Sequence, residues 1–262
     1  MRRVRFLALA AAFAAAAVGL TTRPADAQAP QTASLKGQVV FPAGKPIPKR
    51  EKLNVTQDKQ VCLEKGDILD ESAIVNEKNR GIKNVVVWLR PDNTNPKQNA
   101  MPKPANPRKP VVVVIDQPCC MFVNRVTVAQ VDDTLEVKNP APVAHNFFWT
   151  SANNGEFNVT IPPKQNWRLP KPLQSESGVI EYKCTIHPWM NGYVRVFDHP
   201  YYAVTDENGN FEIKNAPVGK WRLVVWQETK GYLGGKEGRF GQQVDIAAAG
   251  TQMKPIDFEV GK

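Results

Sequence analysis

Within seven residues this chain places a thiol, an imidazole and a thioether, in Cys184-Thr185-Ile186-His187-Pro188-Trp189-Met190. No other stretch constrains the fold as much, because donors this close in sequence meet at one point only if a tight loop brings them round. A second imidazole, His145 in Ala144-His145-Asn146, has to reach that point from a different strand. The donor types specify the chemistry. Thiolate and thioether suit Cu(I), imidazole suits Cu(I) and Cu(II), and a His₂Cys plane with a weak axial Met is the set of an electron-transfer copper site. Zinc fits less well, since thioether is a poor zinc ligand and structural zinc prefers further Cys or His. Haem c would need a C-x-x-C-H motif, which the chain lacks. Three histidines are too few for the several-histidine centre of a multicopper oxidase, and no nucleophile motif supports Ser-His-Asp hydrolysis. The expectation is a metal protein that is not an enzyme.

The segment Glu181-Tyr182-Lys183-Cys184-Thr185-Ile186-His187-Pro188-Trp189-Met190-Asn191-Gly192 resembles the copper loop of the amicyanin-type cupredoxins, with its C-x-x-H-P-aromatic-M arrangement. Asn139-Pro140 followed by Ala144-His145-Asn146-Phe147 resembles the first-histidine segment of the same family. The likeness covers roughly residues 110–197. It implies equatorial ligands His145, Cys184 and His187, an axial Met190, and one copper ion cycling between Cu(I) and Cu(II). It also implies that Asn146 ties the first-ligand strand to the loop near the Cys184 sulfur.

Beyond the loop, the chain reads as all-β. Short runs rich in Val, Ile, Phe, Tyr and Trp alternate with Gly, Pro and Asn punctuation, and no long amphipathic helix stands out. Strands are expected over residues 35–41, 84–90, 111–116, 125–129, 134–138, 145–150, 178–182, 192–197, 201–205, 211–213, 221–227, 242–246 and 255–260. A short helix is the most that residues 57–67 would hold. Residues 91–110 contain six prolines and read as a linker that can neither donate a regular ladder nor bury a core. A second boundary falls at Asp198-His199-Pro200, where His199 reads as a structural hinge residue.

The C-terminal part has its own likeness. Val204-Thr205-Asp206-Glu207-Asn208-Gly209-Asn210-Phe211, then Ala216-Pro217-Val218-Gly219-Lys220-Trp221-Arg222-Leu223, resembles the transthyretin-like, carboxypeptidase-regulatory β-sandwich. The earlier strands of that family are similar to Gly37-Gln38-Val39-Val40 and Asn84-Val85-Val86-Val87-Trp88-Leu89. The resemblance therefore implies a sandwich split between residues 35–90 and 198–262, with a cupredoxin Greek-key sandwich or barrel at 111–197 inserted into it. A tandem order is the alternative. Residues 45–80 read as an excursion packed across the copper domain.

The first 27 residues read as a secretory signal: Arg2, Arg3 and Arg5, an apolar run over 6–20, and an A-x-A site at Ala25-Asp26-Ala27. The expected location is periplasmic or secreted. Removing that segment takes away four arginines and one aspartate and lowers the formal charge from +9 to +6. The remaining charge is scattered and shows no basic stripe of the nucleic-acid-binding kind. An exported chain is free to form disulfides. With Cys184 taken as a ligand, Cys62, Cys119 and Cys120 remain, enough for one bridge and one thiol. Taking Cys120 and Phe122 as neighbours on one strand face selects Cys62–Cys120, with Cys62–Cys119 as the pairing one register step away.

Together these readings point to an exported one-electron carrier. Its partner would be another redox protein, a cytochrome or a dehydrogenase, and neither nucleic acid nor a membrane span is expected. Two other classes remain: a copper-binding or storage protein without electron traffic, and an accessory carbohydrate-binding or adhesive sandwich. For the carrier, the His187 ring edge is expected at an apolar surface beside Pro188 and Trp189, where a partner would dock. Phe147, Phe148 and Trp149 are expected to dry the site.

Overall fold

The computed structural model describes residues 31–92 and 100–261. The expected signal segment over residues 1–27 and the stretch 93–99 of the proline-rich linker lie outside the described residues. Nearly everything described is strand, turn or loop. No described helix is long and apolar enough to cross a membrane.

The first strand, β1 (Thr32–Val40), buries Leu35, Gly37 and Val39 and turns Lys36 and Gln38 outward, the period-two pattern of a strand with one face on a core. A long excursion follows, containing one short helix, α1 (Lys59–Cys62). Strand β2 (Val86–Pro91) is buried through its first four residues and reads as a continuous apolar run. The middle of the chain supplies β3 (Val112–Asp116), β4 (Val126–Gln130), β5 (Thr134–Asn139), β6 (His145–Ser151), β7 (Gly155–Ile161), β8 (Gln165–Arg168), β9 (Ile180–Lys183) and β10 (Asn191–Phe197). The remainder supplies β11 (Tyr202–Val204), β12 (Asn210–Pro217), β13 (Gly219–Gln227), β14 (Gly231–Tyr232), β15 (Gln242–Ile246), β16 (Thr251–Gln252) and β17 (Ile256–Asp257).

Four sheets result. Two are built from the middle strands alone, in the orders β4-β10-β9-β6-β7 and β3-β5-β8. The other two join the ends of the chain: β12-β1-β16 with β17 also on β1, and β11-β2-β13-β14 with β15 also on β13. Because β1 and β2 pair only with strands that follow β10, the chain leaves this second pair of sheets, builds the middle unit, and returns. Each pair of sheets has its own core. Ile115, Leu135, Val137, Phe147, Trp149 and Tyr182 are among the residues that fill the first; Leu35, Val39, Ile82, Leu89, Ile213 and Leu223 are among those that fill the second. A seam of Val86, Trp88, Val126, Phe197, Val224 and Trp226 joins them.

Two glycines are required by close approach. At Gly209, φ is +75° and an added Cβ would lie 2.3 Å from the Val39 carbonyl oxygen, so the Asn208-Gly209 turn admits nothing larger. At Gly192 a Cβ would meet the Tyr182 ring at 2.5 Å, just where β9 and β10 pair beyond the cysteine loop.

The excursion packs on the middle unit. Val55, Cys62 and Ile68 belong to that unit's core, and Cys62 is bonded to Cys120 in a disulfide. The pairing is the one selected from sequence, but strand alternation is not its cause. Cys120 lies in a bend over residues 118–121 with φ at +48°, outside any strand. Strand β7 was not expected, although Phe157, Val159 and Ile161 alternate; its burial is shallow because it forms one edge of its sheet. The strand expected over 255–260 shortens to β17, and β8, β14 and β16 are short pairings without an apolar signature.

Candidate metal centre

Strand β6 starts at His145 and lies between β9 and β7, so this imidazole is delivered from the interior of a sheet. The chain leaves β9 after Lys183, makes the loop 184–190, and re-enters the sheet in β10. Two backbone hydrogen bonds close that loop. The Cys184 N–H donates to the Met190 carbonyl at 3.0 Å, and the Met190 N–H donates to the His187 carbonyl at 2.8 Å. Cys184 and His187 are thereby turned to the same side, and Met190, 1 % exposed, is buried in the core of the middle unit.

Three donor atoms converge. His145 Nδ1 faces His187 Nδ1 at 3.0 Å, Cys184 Sγ lies 3.8 Å from His187 Nδ1, and all three residues have donor atoms within 4.8 Å of one another. His145 and His187 are fully buried and Cys184 is 1 % exposed. Atoms bound to one ion at about 2.0–2.3 Å sit at such separations from each other, so the donor set fits a single metal. The sulfur is prepared for charge: the Asn146 and His187 N–H groups donate to it at 3.2 and 3.4 Å. Asn146 also accepts from the Thr185 N–H at 3.2 Å through its side-chain oxygen, which fastens β6 to the loop. Burial, helped by the neighbouring His187, pushes the pKa of His145 down to about 4, so its ring is neutral and carries a lone pair at neutral pH.

The environment of His187 differs from the expectation. Its ring edge is not at the surface: the side chain is 0 % exposed, and Nε2–H donates to Asp58 Oδ2 at 2.9 Å. A carboxylate only accepts, so this contact fixes His187 as the Nε2–H tautomer and leaves Nδ1 a lone pair aimed at His145 and Cys184. Asp58 precedes α1, whose last residue is Cys62, so the disulfide holds the carboxylate in place. The sulfurs of Cys62 and Cys120 also lie within 4.8 Å of a His187 nitrogen, but their bond to each other uses up their donor capacity. Trp189 is half-buried, with its ring 5.1 Å from the His187 ring and Nε1–H donated to the Cys120 carbonyl at 3.0 Å; Pro188 and Thr185 are the exposed residues of the loop.

Asp58 is the residue that sequence reasoning missed. Nothing in the polar run around it marks a partner 129 positions away. Phe147 and Trp149 are fully buried in the unit's core, whereas Phe148, on the opposite face of β6, lies half-buried under the Lys183 ammonium at 5.3 Å. Cys119 is a free thiol of intermediate exposure. His199 is far from the cluster in role: its Nδ1 accepts from the Tyr201 N–H at 3.1 Å, and its ring stacks on Tyr201.

No protein-family model and no curated protein sequence matches this chain. Among solved structures, several amicyanin variants match part of it. A reduced variant is 25% identical, with 32% of this chain and 81% of that one covered at a TM-score of 0.28. An oxidized variant is 23% identical with the same coverage at 0.29, and a Cu(I) variant 24% identical, again with that coverage, at 0.29. A TM-score this low does not establish a shared fold over the chain, and the reading that follows rests on the side chains of the site.

Proposed function

We propose that this protein is an exported copper protein that carries one electron at a time for a partner redox protein, with His145, Cys184 and His187 as strong ligands and Met190 as the weak axial one. The observation that carries the proposal is the meeting of two imidazole Nδ1 atoms and one thiol sulfur in a fully buried pocket. Copper held by such a set supplies a one-electron couple whose two states tolerate the same geometry. The chain's own residues do the rest. Asn146 and the His187 backbone donate N–H groups to the sulfur and hold it in place, Asp58 fixes the tautomer and orientation of His187, and the buried aromatic residues around β6 keep water out.

The test is direct. Metal-free protein loaded with Cu(II) should turn intensely blue or green through thiolate-to-copper charge transfer and bleach with ascorbate. Cys184→Ser should abolish the colour, because a hydroxyl does not replace the thiolate. Uptake of zinc alone, or a colourless Cu(II) complex, overturns the reading.

One observation favours a second reading, a copper-holding protein without electron traffic: Asp58 and the disulfide-bonded excursion cover the His187 edge through which a docked partner would exchange electrons. Reversible oxidation of the bound copper by a soluble redox protein separates the two, since a holding protein stays Cu(I). The split second sandwich, of transthyretin-like type by its sequence motifs, would serve as the frame that carries the copper unit, and a cytochrome or dehydrogenase would be the partner.

A further inference from the structure

Two arginines are sunk into the region where the two units meet, and only one has a carboxylate. Arg125 reaches both oxygens of Glu228, with Nε and Nη2 each at 2.6 Å. Arg195, on β10, donates Nη1 to the Gly178 carbonyl at 3.0 Å, and its guanidinium lies 5.6 Å from the centre of the Trp88 ring and 4.9 Å from that of Phe197. Its Nε is buried without a hydrogen-bond partner, and among the described residues no acid forms an ion pair with it. Arg195 as a whole is half-buried, and a cation withdrawn this far from water is normally matched by an anion. Burial pushes the Arg195 pKa down against the smaller upward pull of Tyr232, Asp198 and Glu176.

Arg195 lines a cavity of about 370 Å³, within the size range of small-molecule sites. Two more guanidiniums stand at its edge. Arg90 donates to the Arg239 carbonyl, and the two flank the exposed Phe240 ring at 5.7 and 4.5 Å from its centre. Against these three cations the lining offers one acid, the exposed Asp198, while His199 is held neutral by burial, its pKa pushed down to about 4. The other walls are flat and apolar: Trp88, Tyr232 and Met101.

We propose that this cavity binds a small organic carboxylate on a flat apolar body, the carboxylate on the guanidiniums of Arg195, Arg90 and Arg239 and the body against Trp88 and Tyr232. Guanidinium forks match carboxylates two bonds at a time, and aromatic walls suit a planar group. The site draws residues from both units, since Arg195 belongs to β10 and Trp88 and Arg90 to β2.

The test uses the full chain, metal-free and copper-loaded in parallel, because the site does not depend on the copper reading. Benzoate, its neutral isostere benzamide and inorganic phosphate are titrated by calorimetry, while arginine Nε–H resonances are followed by NMR. Benzoate should saturate and shift the Arg195 Nε–H, and benzamide should bind at least about tenfold more weakly, since it lacks the charge that the guanidiniums match. Arg195→Gln should remove benzoate binding. If that variant is poorly folded, Arg239→Ala at the exposed rim decides, with an expected loss of about tenfold and unchanged melting. Equal affinity for benzoate and benzamide, tighter binding of phosphate than of benzoate, or full benzoate affinity in Arg239→Ala each overturns the proposal.

Discussion

Asp58 touches one atom of the cluster, His187 Nε2, yet that contact acts on the whole site. A carboxylate accepting from one ring nitrogen raises the basicity of the other. A more basic Nδ1 favours the doubly charged metal over the singly charged one, so Asp58 should lower the reduction potential of copper held there. Asp58→Asn keeps an acceptor and removes the charge, and should raise the potential by about 60 mV for each tenfold change in relative affinity for Cu(II) over Cu(I). Spectroelectrochemistry of the loaded variant measures it. An unchanged potential, with the spectrum intact, would reduce Asp58 to a latch for the excursion. Met190→Gln should move the potential the other way, to lower values, while copper stays bound, since the axial ligand is the complementary lever.

At the scale of elements, the excursion from β1 to β2 is a cover fastened at one point. Cys62–Cys120 closes a sequence separation of 58 residues, for which chain entropy gives about 4 kcal/mol of stabilisation. Replacing both cysteines with alanine should cost on that order in urea unfolding of the metal-free protein. It should also make His187 accessible to modification by diethyl pyrocarbonate, whereas continued protection would mean that Val55 and Ile68 hold the cover without the bond. The same element shows what sequence pattern conveys and what it does not. His145, Cys184 and His187 were legible because a metal site needs scarce residue types at fixed loop spacing. The strands that frame them were legible because β6, which starts at His145, and β10, which follows the loop, bury alternate residues. Asp58 was not, since its role comes from tertiary approach of a polar segment with no periodicity. Neither was the bend at Cys120, which alternation reads as strand although its φ is +48°. Edge strand β7 is half-exposed, which weakens the contrast that periodicity depends on.

Over the whole molecule, the chain crosses between the two units twice, returning at His199, and a packed seam joins them; the return crossing and the seam answer to different perturbations. Burial holds His199 neutral with its pKa near about 4 in the folded protein, below the 6.5 of a free imidazole. The unfolded chain therefore binds the extra proton first, and stability falls as pH drops from about 6.5 to about 4, by up to about 3 kcal/mol. His199→Asn keeps an acceptor for the Tyr201 N–H, and should flatten that slope in metal-free protein relative to the parent. Besides Arg195 against Trp88 and Phe197, the seam carries the Arg125–Glu228 pair, whose side chains are 7% and 4% exposed. Removing one partner of such a pair strands a buried charge and costs about 3–5 kcal/mol, whereas replacing both with apolar residues of similar size is often near neutral. Glu228→Gln should thus destabilise sharply, and the double variant Arg125→Met with Glu228→Met should recover most of the loss. Urea midpoints of Arg125→Met, Glu228→Met and the double close the cycle. If Glu228→Gln costs less than about 1 kcal/mol, the pair behaves as an exposed surface bridge, and the Trp88, Phe197 and Trp226 packing alone holds the inserted unit on its frame.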